Sequence, residues 1–398
     1  MRHCRKLYIL SLERREALII INALPEIGPV RLRSLLECWP DPVQILGAPV
    51  SSLLAVPRLG ERCAQALHDW PRFFNLREEE LRVRQAGVRI ITIEDACYPA
   101  ALREIHDPPI CLYVHGSIEA LCECNRMIAM VGSRVTTGYG EAMARQFATD
   151  AVRSGWVVVS GLARGIDTIC HESTVSAGGR TIAVLGSGFL HVYPEENIDL
   201  ARRIAESGGA VVSEFPMGQK PDRRHFPMRN RIISGLCRGT LVVEAGLRSG
   251  SLITAAQAME QGRAVFAIPG RVDGPFAHGC NALIRDGARL VESFGDIMEE
   301  FSLLPSLDER RRDRERQQSQ AAVLSIPVSP HEFRVWQQIG HSGCGVDDLV
   351  TRLDEPASTV LGILLMLEIK QLIEQLPGKR LRQLPNRVAV DDSVPKPG

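Results

Sequence analysis

Six short apolar runs that alternate with helical stretches constrain the fold of this chain most strongly. The runs are MIAMVG (127–132), WVVVSG (156–161), TIAVLG (181–186), GAVVSE (209–214), TLVVEA (240–245) and AVFAIPG (264–270). Each run is continuously apolar, which is typical of parallel strands that helices cover on both faces. Amphipathic stretches such as EAMARQFATDAVRSG lie between them and complete repeated βα units. We therefore predict an α/β fold built on a doubly wound parallel sheet.

The pattern changes on both sides of this core, which indicates additional domains. The N-terminal part contains a loose repeat, LPEIGP (24–29) and VPRLGE (56–61), and each copy precedes an amphipathic stretch. The repeat resembles helix-hairpin-helix units, but Glu26 and Arg58 replace the first hairpin glycine, so a helical packing domain is the favoured interpretation. The predicted domains are an N-terminal helical domain of the SAM or helix-hairpin-helix type (1–85), the core (86–305), a charged linker (306–328), a winged-helix domain (329–386) and a tail (387–398).

The predicted winged-helix domain has an apolar third helix, which runs from Pro356 to Glu368 and contains no lysine or arginine. Such a helix is poorly suited to reading base edges in a DNA groove. We therefore favour packing or a protein contact for this helix, and the basic wing around Lys379, Arg380 and Arg382 is its candidate DNA contact.

Charge and cysteine content exclude several classes of protein. Lysine plus arginine number 47 and aspartate plus glutamate also number 47, so nucleic-acid affinity would depend on local patches. The 11 cysteines include no C-x-x-C pair, which favours reduced thiols, a cytoplasmic location and no metal site. We also expect no membrane span and no export signal, because no apolar run reaches the ~20 residues that a span requires.

Glycine and serine follow four of the predicted strands. These strand ends are Gly132-Ser133-Arg134, Ser160-Gly161 leading to Arg164-Gly165, Gly186-Ser187-Gly188, and Pro269-Gly270. Small residues let main-chain amides approach an anion, and a following helix adds partial positive charge. The turns therefore predict a phosphate-binding edge. The sequence contains neither the Gly-x-Gly-x-x-Gly nor the Walker lysine motif, which argues against a dinucleotide-dependent oxidoreductase and against an NTPase.

The window 220–238, KPDRRHFPMRNRIISGLCR, carries the strongest local charge. Six basic residues and the single acid Asp222 give it a net charge of +5. Arginine forms bidentate phosphate contacts, and the interleaved His225 and Phe226 offer flat faces for an unpaired base.

Catalysis is the less favoured interpretation. Glu214 and Glu244 both follow strands and could form an acid–base pair, and Asp167, Cys170 and His171 could hold a base or a metal. A carboxylate near arginines is more often an ion-pair partner, and an aspartate at a helix start more often caps amides. We therefore predict that the protein is not an enzyme and needs no cofactor.

Long motifs follow one another through the core, over roughly residues 90–300. They are VGSRVTTGYG, VVSGLARGIDTICHE, GGRTIAVLGSG, YPEEN, SEFPMGQKPDRRHFPMRNRIISGL, VVEAGLRSGSLITAAQA, VFAIPG and GCNALIRDGA. Together these motifs resemble the DNA-processing protein DprA (Smf) family. The resemblance implies an extended Rossmann-like core that binds single-stranded DNA without sequence preference. It also implies protection of incoming strands during natural transformation, delivery of those strands to the recombinase RecA, and a homodimer. Ile284 and Leu290 are our candidates for the dimer contact.

The resemblance, together with the glycine turns and the basic window, predicts the DNA-binding residues. They are Gly132, Ser133, Arg134, Gly161, Arg164, Gly165, Gly186, Ser187, Lys220, Phe226, Arg229, Asn230 and Arg231. Four or five phosphate contacts predict a slope of log affinity against log salt of ~−3 to −3.5, at ~0.7 per phosphate. Two alternatives stay open: a nucleotide phosphoribohydrolase on a related fold, and a sequence-specific regulator that uses the winged helix.

Overall fold

A computed structural model describes residues 12–122, 124–303, 326–339, 344–353, 355–370, 372–376, 380–383 and 388–390. The chain separates into two compact units, Met1–Leu307 and Asp308–Gly398. The charged run 308–316 of the predicted linker lies outside the described residues.

A nine-stranded, mostly parallel sheet forms the centre of the first unit. Its strands are β1 (Arg89–Thr92), β2 (Cys111–Gly116), β3 (Met127–Val131), β4 (Val157–Ser160), β5 (Thr181–Val184), β6 (Ala210–Ser213), β7 (Gly239–Val242), β8 (Ala264–Ala267) and β9 (Arg289–Leu290). Their order is β1-β2-β6-β5-β4-β3-β7-β8-β9. Strands β3 to β9 pair in parallel, whereas β2 is antiparallel to both β6 and β1.

All six predicted strands are present, so the predicted α/β class with a doubly wound parallel sheet is confirmed. The antiparallel extension β1–β2 and the short β9 are additions that the βα pattern does not reveal.

Helices surround the sheet and form the N-terminal region. They are α1 (Arg14–Ala23), α2 (Pro29–Cys38), α3 (Pro42–Gly47), α4 (Val50–Leu53), α5 (Gly60–His68), α6 (Leu76–Gln85), α7 (Ala100–Arg103), α8 (Gly138–Arg153), α9 (Ile166–Ser176), α10 (Ile198–Glu206), α11 (His225–Leu236), α12 (Ser251–Glu260), α13 (His278–Arg285) and α14 (Phe294–Leu303). Side-chain caps fix where several of them begin, as at α8, where the Thr137 hydroxyl accepts from the Gly140 amide at 3.1 Å. In the described residues no helix combines the length and the apolar character needed to cross a membrane.

Two buried clusters cover the two faces of the sheet. One contains Ile232, Leu236 and Ala255 from α11 and α12, and the other contains Phe147 of α8. Trp156 stacks on Phe301 with ring centroids 5.2 Å apart, which ties α14 to this second face. The helices therefore stabilise the parallel strands from both sides, as their apolar composition predicts.

The N-terminal helices pack on the β2 side of the sheet. Leu18, Ile45 and Leu67 share one apolar cluster with Cys111 and Tyr113 of β2. This cluster ties the helices of the predicted N-terminal domain to the core sheet.

The two copies of the N-terminal repeat form matching turns. Glu26 and Arg58 both adopt left-handed backbone, with φ of 61° and 63°. This is the conformation that a hairpin glycine adopts most easily, so the substituted residues keep the turn geometry. DNA contact by these turns stays a prediction.

Among its described residues, the second unit contains three helices and an antiparallel pair of strands. The helices are α15 (Pro330–Ile339), α16 (Val346–Leu353) and α17 (Ala357–Ile369), and the strands are β10 (Ile326–Val328), β11 (Cys344–Gly345), β12 (Ile373–Leu376), β13 (Arg380–Gln383) and β14 (Val388–Val390). Strands β12 and β13 pair antiparallel as the predicted wing. Strand β14 pairs with β10, so part of the predicted tail is a strand. On α17, Leu361, Leu365 and Ile369 are exposed, and a packing or protein-contact role for this helix stays a prediction.

A buried histidine makes the stability of the first unit depend on pH. The ring of His171 is fully buried in α9, and its Nδ1 contacts the Thr181 hydroxyl at 2.8 Å. Because that hydroxyl donates to the Val158 carbonyl, Nδ1 carries a proton and donates it to the hydroxyl. Burial lowers the pKa of His171 to about 3, and the charge of Arg229 acts in the same direction.

We expect this histidine to weaken folding in acid. His171 takes up a proton at about pH 6.5 in the unfolded state but only at about pH 3 in the folded state. Its contribution to the free energy of unfolding is therefore complete above about pH 6.5 and is lost as the pH falls towards about 3. The free energy of unfolding should fall by about 2 kcal/mol between about pH 6.5 and about pH 5 through this group. Urea unfolding of His171→Gln should show a shallower pH dependence, whereas the exposed control His106→Gln should not; equal slopes in all three proteins would contradict the assignment.

Candidate nucleic-acid interface

The order of strands in the sheet changes direction between β3 and β7. These strands are neighbours, with Val131 beside Val242, although the chain between them forms β4, β5 and β6 on the other side. Ligands of open α/β sheets bind outside the carboxyl ends of the strands at such a switch point. The loops after β3 and β7 are therefore the first place to look for a site.

A groove of about 780 Å³ lies at this position. It is lined by Val131–Val135, Ala163, Asp167, Tyr193, Arg223, Phe226, Pro227, Arg229, Asn230, Ile233, Gly246, Arg248–Thr254 except Leu252, and Phe276. We call it the switch-point groove. It brings together six of the predicted residues, Gly132, Ser133, Arg134, Phe226, Arg229 and Asn230.

The switch-point groove is positively charged. Four arginines line it, and Asp167 is the one acidic side chain in that lining. Arg134, Arg223 and Arg248 are exposed and form no ion pair within the described residues. Since the chain as a whole has zero net charge, this local excess of cations is what would attract a polyanion.

Aromatic rings stand beside these cations. The Arg134 guanidinium lies 5.5 Å from the centroid of the Phe226 ring. The centroids of the Phe226 and Tyr193 rings are 5.8 Å apart. Phe276 lines another part of the groove. Rings next to guanidinium groups suit a ligand with both flat bases and phosphates.

Arg229 belongs to the floor of the groove and is almost completely buried. The residue is 4% exposed, and its Nη1 donates to the carbonyl oxygens of Gly161 and Val184, the latter at 2.5 Å. Burial lowers the pKa of Arg229 to about 10, while Asp167 opposes this shift. The guanidinium therefore stays charged at neutral pH and adds to the positive field from below. The expected direct phosphate contact is not what this geometry shows.

Arg231 forms a buried ion pair away from the groove. Its two terminal nitrogens each lie 2.7 Å from an oxygen of Glu214, and its Nε lies 3.0 Å from Oδ2 of Asp107. Arg231 is 5% exposed. In the structure Arg231 holds α11 against the end of β6, and a phosphate contact by this arginine stays a prediction.

Close packing, more than anion binding, explains two of the glycines. A side chain on Gly161 would meet Nη1 of Arg229 at 2.1 Å, and one on Gly165 would meet the Ser133 carbonyl at 2.4 Å. Gly165 also has a left-handed φ of 76°. These glycines let the loops after β3 and β4 approach each other and let Arg229 reach beneath them.

Two amides of the predicted phosphate-binding turns already have partners. The Ser133 amide donates to the Glu244 carbonyl at 2.7 Å, and the Gly161 amide donates to the Asp167 carboxylate at 3.1 Å. Phosphate binding by these two amides is therefore not supported. The arginines of the groove are better candidates for phosphate contacts than the turns are.

Four further predicted residues lie outside the lining of the groove. Arg164 pairs with Glu196 at 2.8 Å. Ser187 is buried and its hydroxyl donates to the His191 carbonyl at 2.7 Å. Gly186 lies beneath the Phe226 ring, and Lys220 is an exposed residue of the loop before α11.

The candidate catalytic residues do not form a catalytic group. Glu214 follows β6 and Glu244 follows β7, four strand positions apart, which separates them by about 19 Å. Asp167 accepts from its own loop amides, and His171 contacts Thr181. Across the described ranges no cluster of histidine, cysteine and acidic residues could hold a metal ion.

The two candidate dimer residues differ in exposure. Ile284 is half-buried against the core of the sheet. Leu290 is 44% exposed and lies in β9, at the edge of the sheet. A homodimer through this edge stays a prediction.

Sequence reasoning missed the part of the groove that follows β7. Arg248 and the residues Ser249–Ser251 come from the segment GLRSGS, and Tyr193 and Phe276 come from other loops. The available signal was the position of GLRSGS directly after a core strand that adjoins β3 at the switch point.

Comparison with known proteins assigns both units to one family. A family described as "DNA recombination-mediator protein A" matches residues 89–302, and one described as "DprA winged helix domain" matches residues 319–379, which confirms the predicted winged helix. The chain is 43% identical over 269 residues to the DNA processing protein DprA of Bacillus subtilis, covering 67% of this chain and 89% of that protein. It is 38% identical over 325 residues to the protein Smf of Escherichia coli, covering 81% of this chain and 84% of that protein.

A solved structure agrees with these matches. The X-ray structure of DNA processing protein A (DprA) from Streptococcus pneumoniae aligns with a TM-score of 0.60 and 34% identity, covering 73% of this chain and 98% of that chain. The sequence motifs, the sheet with its switch-point groove and the winged helix thus lead to one conclusion: the chain belongs to the DNA recombination-mediator protein A family, whose members are named DprA or Smf.

Proposed function

We propose that the protein binds single-stranded DNA in the switch-point groove without sequence preference. The observation that carries this proposal is one groove at the carboxyl edge of the sheet that is lined by Phe226, Tyr193 and three exposed arginines, none of which forms an ion pair with any residue that the structure describes. Phosphate contacts hold a strand without reading its sequence. Unpaired bases can stack on the rings, and a duplex has no unpaired bases unless it opens.

The buried Arg229 supports the same proposal. Its charge lies directly beneath the groove and is fixed by two strand-end carbonyls. A fixed cation strengthens the attraction for phosphate without any cost of ordering its side chain on binding.

A salt titration tests the proposal. We expect three or four phosphate contacts, so the slope of log affinity against log salt should be about −2 to −3 for a single strand. Fluorescence anisotropy with a labelled oligo-dT measures this slope, and a duplex of equal length is the matched competitor. Tighter binding of the single strand with that slope is the expected result; a slope near zero, or a preference for the duplex, would contradict it.

We further propose that the bound strand is protected from nucleases and passed to RecA during natural transformation or recombination. Support comes from membership in a family described as a recombination mediator and from relatives named DNA processing proteins. Nuclease digestion of the strand with and without the protein, followed by addition of RecA, checks both parts of this proposal.

A further inference from the structure

The third helix of the second unit, α17, is apolar on its exposed side as well as on its buried side. Its buried side packs in the core of this unit through Val360, Ile363 and Leu367. The exposed residues of the helix are Ala357, Ser358, Leu361, Gly362, Leu365, Met366, Glu368 and Ile369. Only one of these eight residues carries a charge. Helices that are apolar all round are normally covered all round, so the exposed side calls for an occupant.

We propose that this exposed side pairs with the same surface of a second copy of the chain, when both copies are bound to one DNA strand. We call this surface the α17 face and define it as Leu361, Gly362, Leu365, Met366 and Ile369. The proposal rests on the proposed function, because the strand brings the copies together. It goes beyond that function by assigning the contact between neighbouring copies to the winged helix.

The chemistry of the helix argues against a nucleic acid as the occupant. No lysine or arginine is among its exposed residues, and the one charged residue, Glu368, is acidic. A carboxylate repels phosphate, and aliphatic side chains form no hydrogen bonds with base edges. By contrast, the α17 face itself contains no charge, so two copies of it can meet without bringing like charges together.

The shape of the α17 face is complementary to itself. Leu361, Leu365 and Ile369 follow one another at four-residue spacing and form a ridge. Gly362 leaves a groove beside this ridge, because a Cβ built on it would meet no atom within 4 Å outside its own stretch of helix. In an antiparallel pair that crosses between Leu365 and Met366, Ile369 of each copy lies over Gly362 of the other. Two-fold symmetry forms both of these contacts at once.

The size of the α17 face determines when this contact forms. Its four large side chains are between 47% and 67% exposed. Two such faces bury on the order of 800 Å² together, which is less than the ~1,000 Å² expected of a stable interface. The contact is therefore weak between free copies. Copies on one strand are at an effective concentration of about 1 mM, so a contact with a Kd of about 0.1 mM strengthens the binding of a neighbour by about 10-fold.

The experiment compares the binding of a short and a long oligo-dT by the full chain. A strand of about 15 nucleotides is close to the site size of one domain, and a strand of about 90 nucleotides has room for several copies. We expect cooperative binding to the long strand, with a Hill coefficient above 1. Leu365→Glu should abolish the cooperativity and weaken the apparent affinity for the long strand by about 10-fold, because it brings two carboxylates together at the centre of the contact.

Two controls accompany this variant. The affinity of Leu365→Glu for the short strand should be unchanged, because a single copy has no neighbour there. Leu81→Glu adds the same charge at a similarly exposed leucine of α6 and should keep the cooperativity on the long strand. Equal losses in both variants would show that the added charge, and not the α17 face, is responsible.

A pair of opposite charges identifies the occupant. Leu365→Lys alone should also lose the cooperativity, because two ammonium groups then meet. An equimolar mixture of Leu365→Glu and Leu365→Lys should restore it, because opposite charges meet across the two-fold contact. Restoration requires a second copy in the contact and shows that both variants fold. If the mixture does not restore the cooperativity, the α17 face does not pair with itself and the proposal is overturned.

Two further results are distinguishable from each other. Binding of the long strand by the wild-type protein without cooperativity, or cooperativity that Leu365→Glu retains, overturns the pairing and leaves the proposed function intact. Failure to bind even the short strand refutes the proposed function, and this proposal with it.

Discussion

Replacing Arg134 and Arg248 together with alanine is expected to weaken binding of oligo-dT by about 100-fold. Each guanidinium is exposed, lines the switch-point groove and has no competing ion pair within the described part of the chain. A hydrogen bond to a charged group contributes roughly 1.5–3 kcal/mol, so each loss corresponds to about 10-fold or more. The slope against log salt should become shallower by about 1.4, because two phosphate contacts are lost.

The matched control replaces Arg77 and Arg145 with alanine. Both are exposed arginines that lie outside the groove, so the net charge changes equally while the site does not. We expect a change of less than about 3-fold for this pair, because only long-range attraction is reduced. Equal losses in the two double variants would show that binding depends on overall charge and not on the groove.

Arg231→Met is expected to destabilise the first unit by about 3–5 kcal/mol. Glu214 is 8% exposed and loses its bidentate partner, so a charge is left buried without compensation. Urea unfolding followed by circular dichroism measures the loss. The binding of DNA by the fraction that remains folded should change little, because Arg231 does not line the groove.

The double variant Arg231→Met, Glu214→Leu separates the ion pair from the other contacts of Arg231. Replacing both partners of a buried ion pair with apolar residues is often close to neutral. We therefore expect the double variant to recover most of the lost stability. If Arg231→Met instead keeps full stability and loses DNA affinity, the phosphate contact expected from the sequence is correct.

The sequence predicts the parallel core well because burial on both faces leaves a continuous apolar run, which few other structures produce. The search for continuous apolar runs does not detect strands β1 and β2, and the cause is physical. They extend the sheet as an antiparallel pair, so no βα unit surrounds them, and Arg89 and His115 within them interrupt the apolar run.

The candidate site is predicted less well than the fold, and the basic window shows why. Residues 220–238 have one strongly positive composition, but α11 turns successive side chains in different directions. Arg229 lies three and four positions before Ile232 and Ile233, so it shares the buried face of the helix, whereas Arg223 precedes the helix and is exposed. Charge density alone cannot distinguish these cases, but helical spacing can.

The placement of β7 beside β3 also bears on biosynthesis. Val131 and Val242 become neighbours only after more than a hundred intervening residues have left the ribosome, and Arg248 follows even later. Contacts between distant parts of a chain form slowly, and translation proceeds from the N-terminus. A nascent or truncated chain that stops before β7 therefore lacks the wall that carries Arg248, so the capacity to hold a nucleic acid arises only once most of the polypeptide has been made.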